Sequence, residues 1–293
     1  MKKLFFVLFV ACVTSLRAEE VFPKDDWEDV QSPVASPDAV VGGEIAILGH
    51  QYSKSFNYYL DANVFSAQLF GSLYDTLFTL HSVSLEIEPG LARKMTVSDD
   101  KSVFTVELDP KATWSDGKPV SAEDVRWTYD AIMDEKNLTG PHKIDLERFE
   151  PPEVVSERVI RFKAKSVHWN NLLAVVGFRV LPKHAYEKLD FNKINFEFPV
   201  VSGLYRLGEI KEGVFAKLER RDDYWNRDAV RGKNSGNFQT MKFMFYIDQD
   251  NAFEAFKKGN IDLYPVYSAQ QWVVRAAGDA YDKGWIVKQR VYN

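Results

Sequence analysis

The stretch "WSDGKPVSAEDVRWTYDAI", residues 114–132, links the end of a predicted strand to a predicted helix through the tight turn "SDGK". We expect Ser121 to be the helix N-cap, with Asp124 three residues later forming a weaker version of the capping box. Val120 before the cap and Val125 in the first turns are spaced to pack as a hydrophobic staple. The buried stripe of this helix is predicted from apolar residues at helical spacing, namely Val125, Tyr129, Ile132 and Met133.

The carboxylates of this stretch raise the question of whether the chain carries out chemistry. Glu123 and Asp124 lie at a helix N-terminus, where the helix dipole favours negative charge, so a structural role explains both. Asp116 immediately precedes Gly117 and is expected to form an Asx-type turn. The alternative is an exported carbohydrate-active enzyme, in which Asp116 and a second acid flank a glycosidic bond at a fixed separation.

Sequence motifs of catalysis and metal binding are missing. There is no G-x-S-x-G, H-E-x-x-H, Walker loop, G-x-G-x-x-G or cysteine pair, and the five histidines show no short ligand spacing. The segment "DQDN" at 248–251 begins like a calcium loop, but Phe253 stands where that loop needs glycine. We therefore predict no catalytic residue, no metal site and no cofactor.

Length and composition indicate a globular protein. The 293 residues are enough for two domains of ordinary size, and 45% of them are hydrophobic and 27% charged. The formal net charge is −5 and basic residues are not clustered. Nucleic acid is therefore not expected as a partner, since its recognition depends on concentrated positive charge.

The first 18 residues, "MKKLFFVLFVACVTSLRA", predict export. They combine two lysines, a short apolar run and small residues, as a secretory signal peptide does, and cleavage is expected after Ala18. The alternative is lipoprotein processing at Cys12, the only cysteine, which would tether the protein to a membrane. In both cases the folded body has no disulfide.

Beyond the signal, strand and helix patterns alternate. Residues 19–43 form a polar leader with several prolines, which we expect to run extended over the surface. Helices are predicted at 64–78 and at 251–259, the second one ending at Gly259. Strands are predicted at 44–49, 102–108, 241–248, 261–265 and 285–292, the fourth ended by Pro265. Hairpins are predicted at 153–164 and 203–220, the latter with Val214, Ala216 and Leu218 facing inward.

Aromatic residues make up 14% of the chain, and two groups of them lie in polar, irregular sequence. These are "HQYSKSFNYYL" at 50–60 and "YPVYSAQQW" at 264–272. Such segments suit a cleft that holds an extended, varied ligand through aromatic faces and main-chain hydrogen bonds. The alternative is that these loop aromatics only close the edge of the core.

Several segments together resemble a known family. They are "SFNYYLDANVFSAQLFGSLYDTLF" at 55–78, "WSDGKPVSAEDV" at 114–125, "SGLYRL" at 202–207 and "DDYW" at 222–225. Their order is similar to that of the family 5 solute-binding proteins of bacterial ABC transporters, especially the Yej-type peptide binders. The resemblance covers residues 40–293. It implies an α/β, periplasmic-binding-protein-like fold of type II, cluster C, which is bilobal, with an extra β-rich domain inserted in lobe one.

The resemblance also implies a division of the chain. After the signal peptide (1–18) and the leader (19–43), lobe one is expected at 44–62 and 196–265, around an additional α+β domain at 63–195. Residues 266–293 would begin a second lobe. That lobe is expected to be truncated, because family members continue with a complete one.

The function implied by the resemblance is that of a periplasmic component of an ABC importer. It would capture oligopeptides in an interlobe cleft and deliver them to the membrane permease, and we expect a monomer. Ligand contacts are expected, by position, from Tyr52, Phe56, Asn57, Tyr267 and Trp272. Nickel or sugar are alternative ligands within the family. The alternative function is a non-binding exported fragment or scaffold, because the second lobe is missing.

Overall fold

The computed structural model describes residues 19–29, 36–198, 200–227 and 236–290. Its strands are β1 (Glu20–Phe22), β2 (Glu44–Leu48), β3 (Phe78–Leu80), β4 (Ile87–Pro89), β5 (Ala92–Val97), β6 (Val103–Leu108), β7 (Glu153–Ser156), β8 (Val159–Lys163), β9 (Tyr205–Lys211), β10 (Phe215–Arg220) and β11 (Thr240–Met244). Its α-helices are α1 (Val64–Leu73), α2 (Ala122–Met133), α3 (Gly140–Leu146), α4 (Asn170–Val176), α5 (Lys183–Tyr186), α6 (Gln249–Lys257) and α7 (Asp279–Asp282). The predicted signal peptide and Cys12 lie outside the described residues.

A five-stranded antiparallel sheet is built from the middle of the chain, in the order β1-β5-β6-β8-β7. The predicted strand at 102–108 is confirmed as β6, and its alternate residues Phe104, Val106 and Leu108 are all buried. The predicted hairpin at 153–164 is also confirmed, with β7 and β8 paired across a two-residue turn at 157–158. Helix α2 packs on these two strands and covers one face of the sheet.

A four-stranded sheet has the order β2-β11-β10-β9. Strand β2 pairs in parallel with β11, placing Glu44 opposite Thr240, while β9, β10 and β11 pair in antiparallel fashion. The chain thus leaves this sheet after β2 and returns to it at β9. The five-stranded sheet is built mainly from the chain between those two points, although the domain boundaries expected from the sequence stay a prediction.

Helix α1 follows β2 and leads into β3, which pairs with β4 in a separate two-stranded sheet, and the helix is shorter than the predicted 64–78. Asn63 is its N-cap and forms a reciprocal capping box with Ser66. The helix ends at Leu73, because Tyr74 adopts an extended conformation and the chain enters β3. The motif residue Gly203 packs against this end of α1, where an added Cβ would lie 2.4 Å from the carbonyl oxygen of Ser72.

Four other predictions differ from the structure. The leader does not simply cross the surface, because β1 within it pairs with β5. Val214 lies in the β9–β10 turn and is 39% exposed, instead of facing inward. The predicted strand at 261–265 is reduced to a single parallel bridge between Ile47 and Leu263. Residues 285–290, the described part of the last predicted strand, are not in a strand.

The core has two parts. The larger one runs through both sheets and contains most of the buried aromatic residues. The smaller one packs α6 against the end of β2, through Leu48, Phe253, Ile261 and Tyr264. Within the described ranges, no helix has the length and apolar character needed to cross a bilayer.

Candidate ligand-binding site

The carboxylate of Asp124 serves the start of helix α2. It accepts hydrogen bonds from Ser121 N–H (2.9 Å), from the Ser121 hydroxyl (2.8 Å) and from Lys183 N–H (2.9 Å). In return, Asp124 N–H donates to Ser121 Oγ at 3.3 Å, which confirms the predicted capping box. Val120 and Val125 are both buried, as the staple requires. Asp124 is therefore a buried structural group.

Asp116 forms the predicted turn. Its Oδ1 accepts from Lys118 N–H at 3.2 Å, and its Oδ2 lies 2.8 Å from Nε2 of His184, a partner that no sequence pattern indicated. Burial acts to raise the pKa of the Asp116 carboxyl, but the Lys118 and His184 hydrogen bonds outweigh it and hold the pKa below its usual value. Both oxygens of Asp116 are thus engaged within the fold, which favours a structural role over that of a glycosidase general acid, whose pKa is typically raised.

Across residues 19–29, 36–198, 200–227 and 236–290, no group of three or more His, Cys, Asp or Glu side chains could hold a metal ion.

A sharp turn at the end of β2 begins the candidate site. Gly49 N–H donates to Met244 O at 2.8 Å, and a Cβ at Gly49 would lie 2.5 Å from the ring of Phe245. His50 then has a φ of +54°, a left-handed conformation that is uncommon for a residue other than glycine. The close approach of Phe245 and the left-handed His50 together turn the chain out of the sheet.

Tyr52 is held by four rings. Its ring lies 4.9 Å from that of Phe245, 5.7 Å from Phe56, 6.2 Å from Phe65 and 6.3 Å from Phe196. Tyr52 is itself half-buried. Phe56 is 0% exposed, so it supports Tyr52 and has no free face for a ligand. Its place in the core differs from the contact role expected from the sequence.

The loop that carries Tyr52 is fixed by hydrogen bonds. Asn57 Oδ1 accepts from Tyr59 N–H at 3.2 Å, and Asn57 Nδ2 donates to Phe191 O at 3.3 Å. Phe56 N–H donates to Asn195 O at 2.7 Å. The Asn57 side chain is 7% exposed, so its amide is engaged inside the loop. Asn57 therefore shapes the site from below its surface.

The second aromatic segment supplies an exposed ring. Tyr267 is 82% exposed, and its ring centroid lies 6.3 Å from that of His50. Burial lowers the pKa of the half-buried His50, which favours its neutral form. Trp272 is half-buried in the π-helix Gln271–Arg275, where the ammonium of Lys288 lies 5.3 Å from its ring.

The structure thus sorts the five predicted contact residues into three groups. Tyr52, Phe56 and Asn57 lie in the loop after β2, Tyr267 lies beside His50, and Trp272 contacts Lys288. Burial of Tyr52 raises the pKa of its hydroxyl, and the nearby carboxylate of Glu212 acts in the same direction. His50 begins the predicted aromatic segment 50–60, but it was not among the five expected contacts, and its left-handed conformation and its proximity to Tyr267 were not predicted.

Comparisons with known proteins identify the family. The sequence model of the bacterial extracellular solute-binding proteins, family 5 (middle part), matches residues 86–292. A putative binding protein from Brucella melitensis is 32% identical over 216 residues, which cover 73% of this chain and 34% of the relative. The probable peptide-binding protein YejA from Agrobacterium fabrum is 30% identical over 230 residues, which cover 75% of this chain and 37% of the relative.

Solved structures share the fold. The oligopeptide-binding protein AppA from Bacillus subtilis, solved in complex with a nonapeptide, matches with a TM-score of 0.65 at 22% identity, over 76% of this chain and 44% of AppA. The α/β, periplasmic-binding-protein-like fold predicted from the sequence is thereby confirmed. The chain spans about a third of the length of the curated relatives it matches. It belongs to the bacterial extracellular solute-binding proteins of family 5.

Proposed function

We propose that this protein is the peptide-capturing component of an ABC importer and works in the periplasm. The observation that carries the proposal is the surface at the end of β2, where the exposed Tyr267 lies beside His50. Tyr52, two positions after His50 in the chain, packs against surrounding aromatic rings. The family is one of extracellular solute binders. YejA of Agrobacterium fabrum is named as a probable peptide-binding protein, and AppA was solved with a nonapeptide.

Peptide chemistry fits this surface. Aromatic faces can pack against many different side chains, while hydrogen bonds to a peptide backbone do not depend on its sequence. In the proposal Tyr52, Tyr267 and Trp272 contact the ligand, whereas Phe56 and Asn57 hold Tyr52 and its loop in place.

The remaining parts of the proposal concern the assembly. Residues 44–62 and 196–265 would form lobe one around the additional domain at 63–195, which is supported by the parallel pairing of β2 with β11. A second lobe beginning at 266 would cover the ligand and present it to the membrane permease. The protein would be a monomer, exported by residues 1–18 or tethered through Cys12.

Calorimetric titration with peptides of two to nine residues tests the proposal. We expect a subset of them to bind, and Tyr267→Ala to weaken that binding about tenfold, which corresponds to roughly 1.4 kcal/mol. Trp169→Ala, which removes a similarly exposed ring at the start of α4, should leave peptide binding unchanged. A cooperatively folded chain that binds none of these peptides would instead support the non-binding scaffold.

A further inference from the structure

A small apolar groove lies between β1, at the edge of the five-stranded sheet, and the start of α4. Its cavity volume is about 180 Å³, and its walls include Phe22, Phe104, Leu172 and Trp169. This volume is below the roughly 300–1,000 Å³ of clefts that take drug-sized ligands. The groove therefore has room for one ring, and is too small for a peptide segment or a long acyl chain.

Trp169 forms an exposed wall of this groove. Its side chain is 77% exposed, although a tryptophan in a folded protein is usually largely buried. It stands at the N-cap position of α4 without a side-chain capping bond, so the helix does not require this residue. Val167 beside it is 64% exposed. The structure thus presents an aromatic surface to water that its own folding does not explain.

The rim of the groove is polar but carries no net charge. The lining includes one acid and one base, Glu20 and Lys101, whose Oε2 and Nζ lie 2.5 Å apart, and Lys24, outside the lining, lies 3.5 Å from Glu20 Oε1. His168 Nδ1 accepts from Asn170 N–H at 3.1 Å, which leaves Nε2 to carry the proton of the neutral ring and to act as a donor. Donors and acceptors therefore surround an apolar floor.

We propose that this groove binds a single pyranose ring of a glycan, at a second site separate from the peptide site. One face of a pyranose presents mainly C–H groups, which pack against a flat aromatic ring, while its hydroxyl groups point outward from the ring edge. Trp169 would take the C–H face, and Glu20, Lys101 and His168 would bond the hydroxyls. The compensated rim fits a neutral ligand of this kind better than an anion or a cation.

Saturation-transfer NMR on the full 293-residue chain tests the proposal, with methyl β-glucoside and N-acetylglucosamine as probes. We expect the strongest transfer to the C–H protons of one ring face and weak binding. Trp169→Ala should lower the affinity at least tenfold, while Trp169→Phe keeps a flat ring and should retain measurable binding. Thermal unfolding of both variants should match the parent, because the side chain is exposed.

Two control variants distinguish specific binding in this groove from non-specific binding to exposed rings and from binding at the peptide site. Trp285 is 75% exposed, so Trp285→Ala removes a similar ring elsewhere. Neither Trp285→Ala nor Tyr267→Ala should change sugar binding. The proposal is overturned if no saturation transfer occurs or if Trp169→Ala binds the sugars as well as the parent. It is also overturned if Trp285→Ala lowers the sugar affinity as much as Trp169→Ala does. Binding of decanoate, but not of the sugars, at Trp169 would also overturn it.

Discussion

Replacing Asp124 with alanine should lower the free energy of unfolding by about 2–4 kcal/mol. The carboxylate is 5% exposed and accepts three short hydrogen bonds, from Ser121 N–H, Ser121 Oγ and Lys183 N–H. Loss of the capping interaction costs about 1 kcal/mol. Leaving the two backbone N–H groups without an acceptor adds roughly 1–3 kcal/mol, since desolvated donors then have no partner.

The neighbouring acid provides a matched control. The Glu123 side chain is 56% exposed and pairs with Lys183 at 3.1 Å on the surface. Such a pair contributes about 0–1 kcal/mol, so Glu123→Ala should have little effect. Asp124→Asn keeps one carbonyl oxygen as an acceptor, so its free energy of unfolding should lie between those of Asp124→Ala and the parent.

Urea unfolding followed by circular dichroism measures all three variants. For Asp124→Ala we expect a lower midpoint at unchanged slope, and a melting temperature lower by roughly 4–16 °C. If Asp124→Ala is no more destabilising than Glu123→Ala, then the buried hydrogen bonds at the start of α2 do not stabilise the fold, and the assignment of Asp124 as a structural group fails.

Two further predictions concern the close contact at α1 and the turn before α2. Gly203→Ala should lower the free energy of unfolding, measured in urea, by about 1–3 kcal/mol, because the added Cβ would lie 2.4 Å from Ser72 O. Gly140→Ala is the control: it has open space around it and should be neutral or slightly stabilising. Equal effects of the two substitutions would show that Gly203 is not in close contact with α1. The fold lowers the pKa of Asp116, which lies beside His184, below its ordinary value of 3.8. The ionised carboxylate therefore stabilises the fold at pH values above 3.8, and this stabilisation is lost as the pH falls through the lowered pKa. Asp116→Asn should thus destabilise at about pH 7 and much less near about pH 2, and a pH-independent difference would refute this linkage.

Local sequence patterns predicted helix α2 and its cap. The Ser121–Asp124 spacing and the flanking valines depend on residues within a few positions of one another, and the structure confirms them. The hairpins at 153–164 and 203–220 follow from alternation and turn residues in the same way. The sequence missed that Asp124 also accepts a bond from Lys183, which lies on a different helix.

The candidate site could be located but not resolved from the sequence. Position placed the contacts in the loop after β2 and in the segment after α6, but burial separates their roles. Phe56 is enclosed and Tyr267 is exposed, although both are aromatic residues in polar surroundings along the chain. Whether a ring faces the core or water depends on which distant elements pack on it, as Phe196 and Phe245 do for Tyr52.

The amino-acid sequence alone determined the caps, turns and helices whose stabilising partners lie within a few positions along the chain. It also determined the family, because the family motifs are short stretches of consecutive residues in a fixed order. Only the tertiary structure decided that the leader adds β1 to the five-stranded sheet and that Phe22 and Trp169 share a groove. The same holds for the left-handed His50 beside Tyr267. These features arise from contacts between residues far apart in the chain, and no pattern within either segment encodes the partner.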